Sequence, residues 1–220
     1  MRVGVIGAGR IGGGAARLLA RAGHDVLLAF SRDDARLREL AADIGTSAQV
    51  GTPADAAAFG DVVILSAPWP LIDDAVAQAG SLDGKVVIDT TNPFGRGGWE
   101  VPAGRTSAQV NQERLGGAKV VKSFNTLTAG FQQAAAGRAG AERVVMFLAG
   151  DDPEAKALVA RLIEDTGFDP VDVGTAAEST IMEAPRRAGA VYGEEYRLPE
   201  ARAAVEAARA GRPIPPTPQH

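Results

Sequence analysis

Three glycines close to the start, in the run Gly7-Ala8-Gly9-Arg10-Ile11-Gly12, follow an apolar stretch and open a segment rich in Ala and Leu. Between a strand and a helix, this spacing grips the pyrophosphate of a dinucleotide. The first glycine allows the tight turn, the second lets the backbone approach the phosphates, and the third lets the helix pack on the strand. The helix N-terminus adds unpaired N–H groups and a partial positive charge. At the end of the next apolar run stand Ser31 and Arg32. An NAD site has an acidic residue there, whereas a hydroxyl followed by a guanidinium suits a 2′-phosphate dianion. Arg36, one helical turn on, adds charge. Ser31 also reads as a helix N-cap and Arg32 as a surface cation, roles compatible with phosphate binding. The expected cofactor is NADP(H).

Other chemistry is scarce. The chain has no cysteine, and its two histidines are His24, in a turn, and His220, the last residue. Thiolate catalysis is excluded, and no metal-ligand spacing occurs. No catalytic residue is assigned, so the cofactor is expected to carry the reaction. A net charge of −4 without a basic block argues against nucleic acid. Apolar runs are strand-sized, too short to span a bilayer. The chain enters a strand at once, so a cytoplasmic protein is expected.

The elements that must position these residues are legible as alternating units. Short β-rich apolar runs at 2–6, 25–30, 48–50, 62–66, 86–89 and 120–123 alternate with helical patterns at 11–22, 34–44, 52–59 and 71–79. Nearly continuous apolar strands are buried on both faces, the mark of a parallel sheet covered by helices. A Gly/Pro loop follows Gly95, then a helix near 107–115. One more strand–helix–strand unit is expected at 144–149, 152–166 and 170–173, and a last helix at 199–210. The expected fold is α/β, a Rossmann-type doubly wound, mostly parallel sheet with a small C-terminal α/β extension. Residues 1–140 form the dinucleotide-binding domain, 141–211 complete the sheet and acceptor site, and 212–220 form a Pro-rich tail, disordered or an extended arm.

In an open α/β sheet, ligands lie beyond the carboxyl ends of the strands. Three stretches occupy those ends: Ser66-Ala67-Pro68-Trp69-Pro70, Asp89-Thr90-Thr91-Asn92-Pro93-Phe94 and Ser123-Phe124-Asn125-Thr126-Leu127. Each suits a turn on its own. Beside a dinucleotide loop, the three are expected to converge on one cleft.

The chain resembles the F420-dependent NADP reductase family, whose members move hydride between NADP(H) and the deazaflavin coenzyme F420. The resemblance rests on Met1-Arg2-Val3 leading into the glycine loop, on Ser31-Arg32, Ala67-Pro68-Trp69 and Val121-Lys122-Ser123-Phe124-Asn125-Thr126-Leu127, and on Ala149-Gly150-Asp151-Asp152 and 167–174. The chain is also similar to the reductase domain of the STEAP metalloreductases. The resemblance implies a Rossmann domain with a small C-terminal part, often dimeric, and a nicotinamide stacked face to face on the deazaflavin. Ser31 and Arg32 would then hold the 2′-phosphate, and Pro68 and Trp69 would lie on the nicotinamide side. Asn92, Asn125 and Thr126 would line the cleft where the second ring stacks. Residues 175–196, with Glu178, Glu183, Arg186, Arg187, Tyr192 and Tyr196, are far more charged than the family's tail, so the acceptor side is expected to differ.

Two other readings stand beside hydride transfer to the deazaflavin. One is NADPH-dependent reduction of a small imine, enone or carbonyl. The other is a dinucleotide-binding regulatory module without turnover. A Tyr-x-x-x-Lys dehydrogenase is disfavoured, since Tyr196 follows Tyr192 at that spacing, and a hydroxyacid dehydrogenase with a lysine acid/base is disfavoured because lysine occurs only at 85, 119, 122 and 156. Trp99, Tyr192 and Tyr196 are candidates either for lid aromatics or for a contact in a homodimer.

Overall fold

Along β1 (Arg2–Ile6), Val3 and Val5 point to one helical layer while Ile6 points to the other. Side chains alternate across a strand, so a fully apolar run must be covered twice. The computed structural model shows this arrangement and describes residues 1–31, 33–95, 97–99 and 101–217. The Arg32 expectation therefore lies outside the described residues, as does any reading of the Trp99 side chain.

After β1 the chain alternates through α1 (Arg10–Arg21), β2 (Asp25–Ala29), α2 (Asp34–Ile44), β3 (Ala48–Val50), α3 (Pro53–Phe59), β4 (Val62–Leu65), α4 (Ile72–Ala79) and β5 (Val86–Asp89). A short hairpin of β6 (Phe94–Gly95) and β7 (Gly98–Trp99) precedes α5 (Ser107–Arg114) and β8 (Lys119–Ser123). Then come α6 (Ala129–Ala135), β9 (Val145–Gly150), α7 (Pro153–Asp165), β10 (Asp169–Gly174), a 3-10 turn Ala176–Met182 and α8 (Leu198–Arg209).

The eight-stranded sheet has the order β10-β9-β8-β5-β4-β1-β2-β3. Six strands from β3 to β8 run parallel; β9 pairs antiparallel to β8, and β10 runs parallel to β9. The fold is thus the expected Rossmann-type α/β sheet, with the C-terminal unit added to its edge. One core face packs Val3, Val5, Leu28 and Ile64 against α1 and α7. The other packs Ile6, Leu65 and Val87 under α3 and α4.

Local signals set the helix starts. Thr52 and Asp55 cap α3 reciprocally, with Pro53 in its first turn. Asp152 caps α7 by accepting from the Ala155 N–H at 2.8 Å.

Two expectations about the C-terminal region change. Tyr196 is a core residue, its ring edge-on to Phe147 at 5.6 Å, because the strands and α8 enclose it. It is therefore not a lid. The Pro-rich tail folds back on its own chain as far as Thr217, rather than extending into solvent. Ile214 packs on the same core and the Thr217 hydroxyl lies 3.2 Å from the Tyr196 hydroxyl.

Candidate functional site

The parallel strands end along one edge, where a cleft of about 1410 Å³ opens. Its phosphate end is built by the β1–α1 loop. Gly7 turns the chain at φ +103°, and a side chain there would sit 2.4 Å from the Ser66 carbonyl carbon. Gly12 stands behind the loop rather than in the cleft; a Cβ on it would lie 2.2 Å from Gly7 O and 2.8 Å from Ser66 Cβ. Gly9 is different, because nothing lies within 4 Å of where its Cβ would be. The space over it is the cradle a pyrophosphate needs. Gly9 also begins α1 with no side-chain cap and no acidic residue in the first turn, so the helix end is open to an anion. Arg10 and Ile11 line the cleft beside it. The loop fits a dinucleotide.

At the end of β2, Phe30 adopts φ 58°, a left-handed conformation costly for a bulky residue. The turn is locked by Ser31, whose hydroxyl donates to Asp33 O at 3.0 Å and accepts from Asp33 N–H at 3.2 Å. Asp33, not Ser31, caps α2, accepting from the N–H groups of Ala35 and Arg36. The N-cap reading of Ser31 is corrected, because the carboxylate two residues on reaches the orphan amides. Ser31 and Arg36 both line the cleft.

The three strand-end stretches converge on it as expected. Ala67, Pro68, Asn92, Asn125 and Thr126 all line the same space. Trp69 forms part of the wall, but it is only 3% exposed and packs beneath the Arg114 guanidinium, 4.3 Å from the ring centre. A ring so enclosed supports the wall and offers no stacking face. The two asparagines are tied together: Asn92 Nδ2 donates to Asn125 O at 3.0 Å, and Asn125 Nδ2 donates to Asn92 Oδ1 at 3.3 Å.

One buried network escaped the sequence reading. Beneath the Asn92 loop, Lys122 and Asp89 form a buried pair that also engages Thr91 and Asn111. The available signal was an acid and a lysine each interrupting an apolar strand. Across the cleft, the segment after the 3-10 turn supplies Arg186, Tyr192 and Gly193. It is anchored by Glu183, a buried carboxylate that accepts from the first amides of α5, Ser107 N–H at 2.9 Å and Ala108 N–H at 3.1 Å, and from the Ser179 hydroxyl. Arg186 pairs with Glu194, which raises the basicity of its guanidinium. Burial pushes the Tyr192 phenol up, so it holds its proton across the neutral range. Phe94, on the β6–β7 hairpin, stands at the cleft 57% exposed. No group of three His, Cys, Asp or Glu side chains able to hold a metal occurs among the described residues.

Comparison with known proteins agrees with this geometry. The family model described as NADP oxidoreductase, coenzyme F420-dependent, matches residues 2–93. A putative F420-dependent NADP-reductase from an Arthrobacter species has TM-score 0.69 and 27% identity over 82% of this chain and 87% of that one. The chain is similar to this family, and the matched stretch holds the glycine loop and the strand ends as far as Pro93. The family model and this neighbour are both described as NADP-dependent reductases or oxidoreductases. A hypothetical protein from Sinorhizobium meliloti is also similar, with TM-score 0.78 and 33% identity over 90% of this chain and 95% of that one. Metalloreductase STEAP3 of Rattus norvegicus is 27% identical over 83% of this chain, which spans only 36% of that protein. A reductive aminase from Aspergillus terreus, solved with NADPH and ethyl levulinate, shares the fold at TM-score 0.60 and 18% identity, over 81% of this chain and 56% of that one. Among the described residues no helix is long and apolar enough to cross a membrane.

Proposed function

We propose that the cleft binds NADP(H) along the strand ends, and that the protein moves hydride between it and the deazaflavin coenzyme F420. The observation carrying this reading is the continuity of one space from Gly9 to Thr126. At about 1410 Å³ it exceeds the roughly 300–1,000 Å³ of a pocket for one drug-sized ligand, which leaves room for a second ring system.

Gly9 and the start of α1 would take the pyrophosphate, with Arg10 beside it. Ser31, Arg32 and Arg36 would take the 2′-phosphate. Ala67 and Pro68 would wall the nicotinamide side, and Asn92, Asn125 and Thr126 the acceptor side. When bound, NADP(H) supplies or takes the hydride. The chain's own contribution is to hold two flat ring systems face to face and exclude water, which requires position more than a proton donor. A homodimer in the cytoplasm belongs to the same proposal, and gel filtration reads its assembly.

Tyr192 favours one second reading, reduction of a small imine or carbonyl by NADPH. Such a reaction needs a proton delivered to nitrogen or oxygen, and a protonated phenol lines the cleft.

The test is spectrophotometric: purified protein with NADPH and oxidised coenzyme F420, with NADH as control. Rapid bleaching of the deazaflavin that prefers NADPH supports hydride transfer to it. No bleaching, with NADPH binding intact and a cyclic imine turned over, transfers the assignment to the second reading.

A further inference from the structure

The loop after β8 carries two buried polar atoms that nothing among the described residues satisfies, Asn125 Oδ1 and Thr126 Oγ1. They belong to consecutive residues that line the cleft and are 4% and 3% exposed. Buried polar groups are nearly always paired, so an orphan at a cleft wall points to a ligand.

The Asn125 oxygen cannot find a partner by turning. Asn125 Nδ2 donates to Met182 O at 2.7 Å and to Asn92 Oδ1 at 3.3 Å. Both partners are acceptors, which fixes the amide's orientation and leaves its oxygen as the free end. The Asn92 oxygen is itself fixed as an acceptor, because it also accepts from Ala184 N–H at 3.2 Å. The Thr126 carbonyl is held by Gly193 N–H at 2.9 Å, which pins the loop.

The chemistry of the pair defines what it would bind. An amide oxygen only accepts, so Asn125 requires an N–H or O–H, while the threonine hydroxyl both donates and accepts and so can serve a carbonyl. A carboxylate or phosphate would face the Asn125 oxygen without a donor. Among the groups that the proposed cofactor and acceptor rings carry, the one that offers N–H beside C=O is an amide.

We infer that Asn125 Oδ1 and Thr126 Oγ1 form a subsite for an amide function, with Asn125 taking its N–H and Thr126 donating to its C=O. The inference rests on the reading of the cleft as the meeting place of nicotinamide and acceptor. The amide would come from the nicotinamide carboxamide or from the imide edge of a deazaflavin.

Thr126→Val removes the hydroxyl at nearly constant shape, and Thr126→Ser keeps it. Dissociation constants for NADPH, its 3-acetylpyridine analogue and oxidised coenzyme F420 are measured by calorimetry on both variants and wild type. If the carboxamide is the ligand, Thr126→Val weakens NADPH roughly tenfold, a shift of one decade in Kd. Serine restores it, and the analogue, which lacks the amide N–H, binds weakly to every form. If the acceptor supplies the amide, the loss appears for F420 alone and serine again restores it. Unchanged constants throughout, or equal losses for NADPH and its analogue that serine does not restore, overturn the subsite. Wild type failing to bind NADPH overturns instead the reading of the cleft on which the subsite depends.

Discussion

Lys122 Nζ lies 3.0 Å from Asp89 Oδ2, at paired positions of β8 and β5, with both side chains at 0% exposure. The pair is complete. Asp89 accepts from Thr91 N–H, the Thr91 hydroxyl and Asn111 Nδ2, and Lys122 also donates to Thr91 O at 2.7 Å. Thr91 precedes Asn92, so this network supports the cleft wall at Asn92.

Removing one partner strands a buried charge, which costs far more than the pair contributes. Lys122→Met is expected to lower unfolding free energy by about 3–5 kcal/mol. Adding Asp89→Asn should recover part of that loss, since a neutral amide no longer needs a cation. Urea unfolding of the single and double variants measures both, and an unchanged midpoint for Lys122→Met would refute the account.

Gly9 and Gly12 separate binding from folding within one loop. A methyl on Gly9 meets only the open cleft, whereas one on Gly12 meets Gly7 O at 2.2 Å. Gly9→Ala should keep the wild-type melting temperature and weaken NADPH binding by roughly tenfold or more. Gly12→Ala should destabilise by about 1–3 kcal/mol through overpacking. Thermal melts with and without NADPH distinguish the two effects.

The sheet and its phosphate loop were legible because both rest on local signals: continuous apolar runs, caps and glycine spacing. Most observed strand bounds lie within a residue of the expected ones, as at 2–6, 48–50 and 86–89. What escaped depends on contacts distant in sequence. Helix α6 was missed because Gly130, Gln132 and Gln133 interrupt its apolar spacing. Gln132 is nevertheless buried, since it donates to Phe124 O and Leu127 O. Tyr196 stands in a charged stretch and reads as exposed until β9 supplies Phe147 across from it. The Lys122–Asp89 pairing requires knowing that β8 lies beside β5.

Cofactor choice should reside in the turn after β2. Arg32→Ala and Arg36→Ala are each expected to weaken NADPH by about tenfold or more while leaving NADH nearly unchanged, because only NADPH carries the dianion. Ser31→Ala should do less to affinity and also loosen the turn that it ties to Asp33. Equal losses for both nucleotides would remove the 2′-phosphate assignment.

Acid should unfold the protein partly through its helix caps. Asp152 is held below the ordinary carboxylate range by the Ala155 N–H and then by Lys119. Its folded-state pKa is depressed, so its contribution is present above the unfolded value and fades as pH falls through the folded one. That window lies below about pH 4. Asp152→Asn should therefore narrow the stability gap between pH 7 and pH 3, read as melting temperature against pH. A gap as wide as in wild type would assign the acid sensitivity elsewhere.

Tyr192→Phe decides between the two acceptors. If the phenol delivers a proton to an imine or carbonyl, its loss should lower kcat for that substrate by about 10²–10⁴-fold. NADPH affinity should hardly move, and the high-pH limb of the rate profile should disappear with the hydroxyl. Hydride transfer to a deazaflavin asks only that the ring be walled, and phenylalanine supplies the same wall. Turnover of coenzyme F420 should then stay within a few-fold of wild type. A large loss with F420 would place the Tyr192 hydroxyl in that reaction too, and the view that position alone suffices would fall.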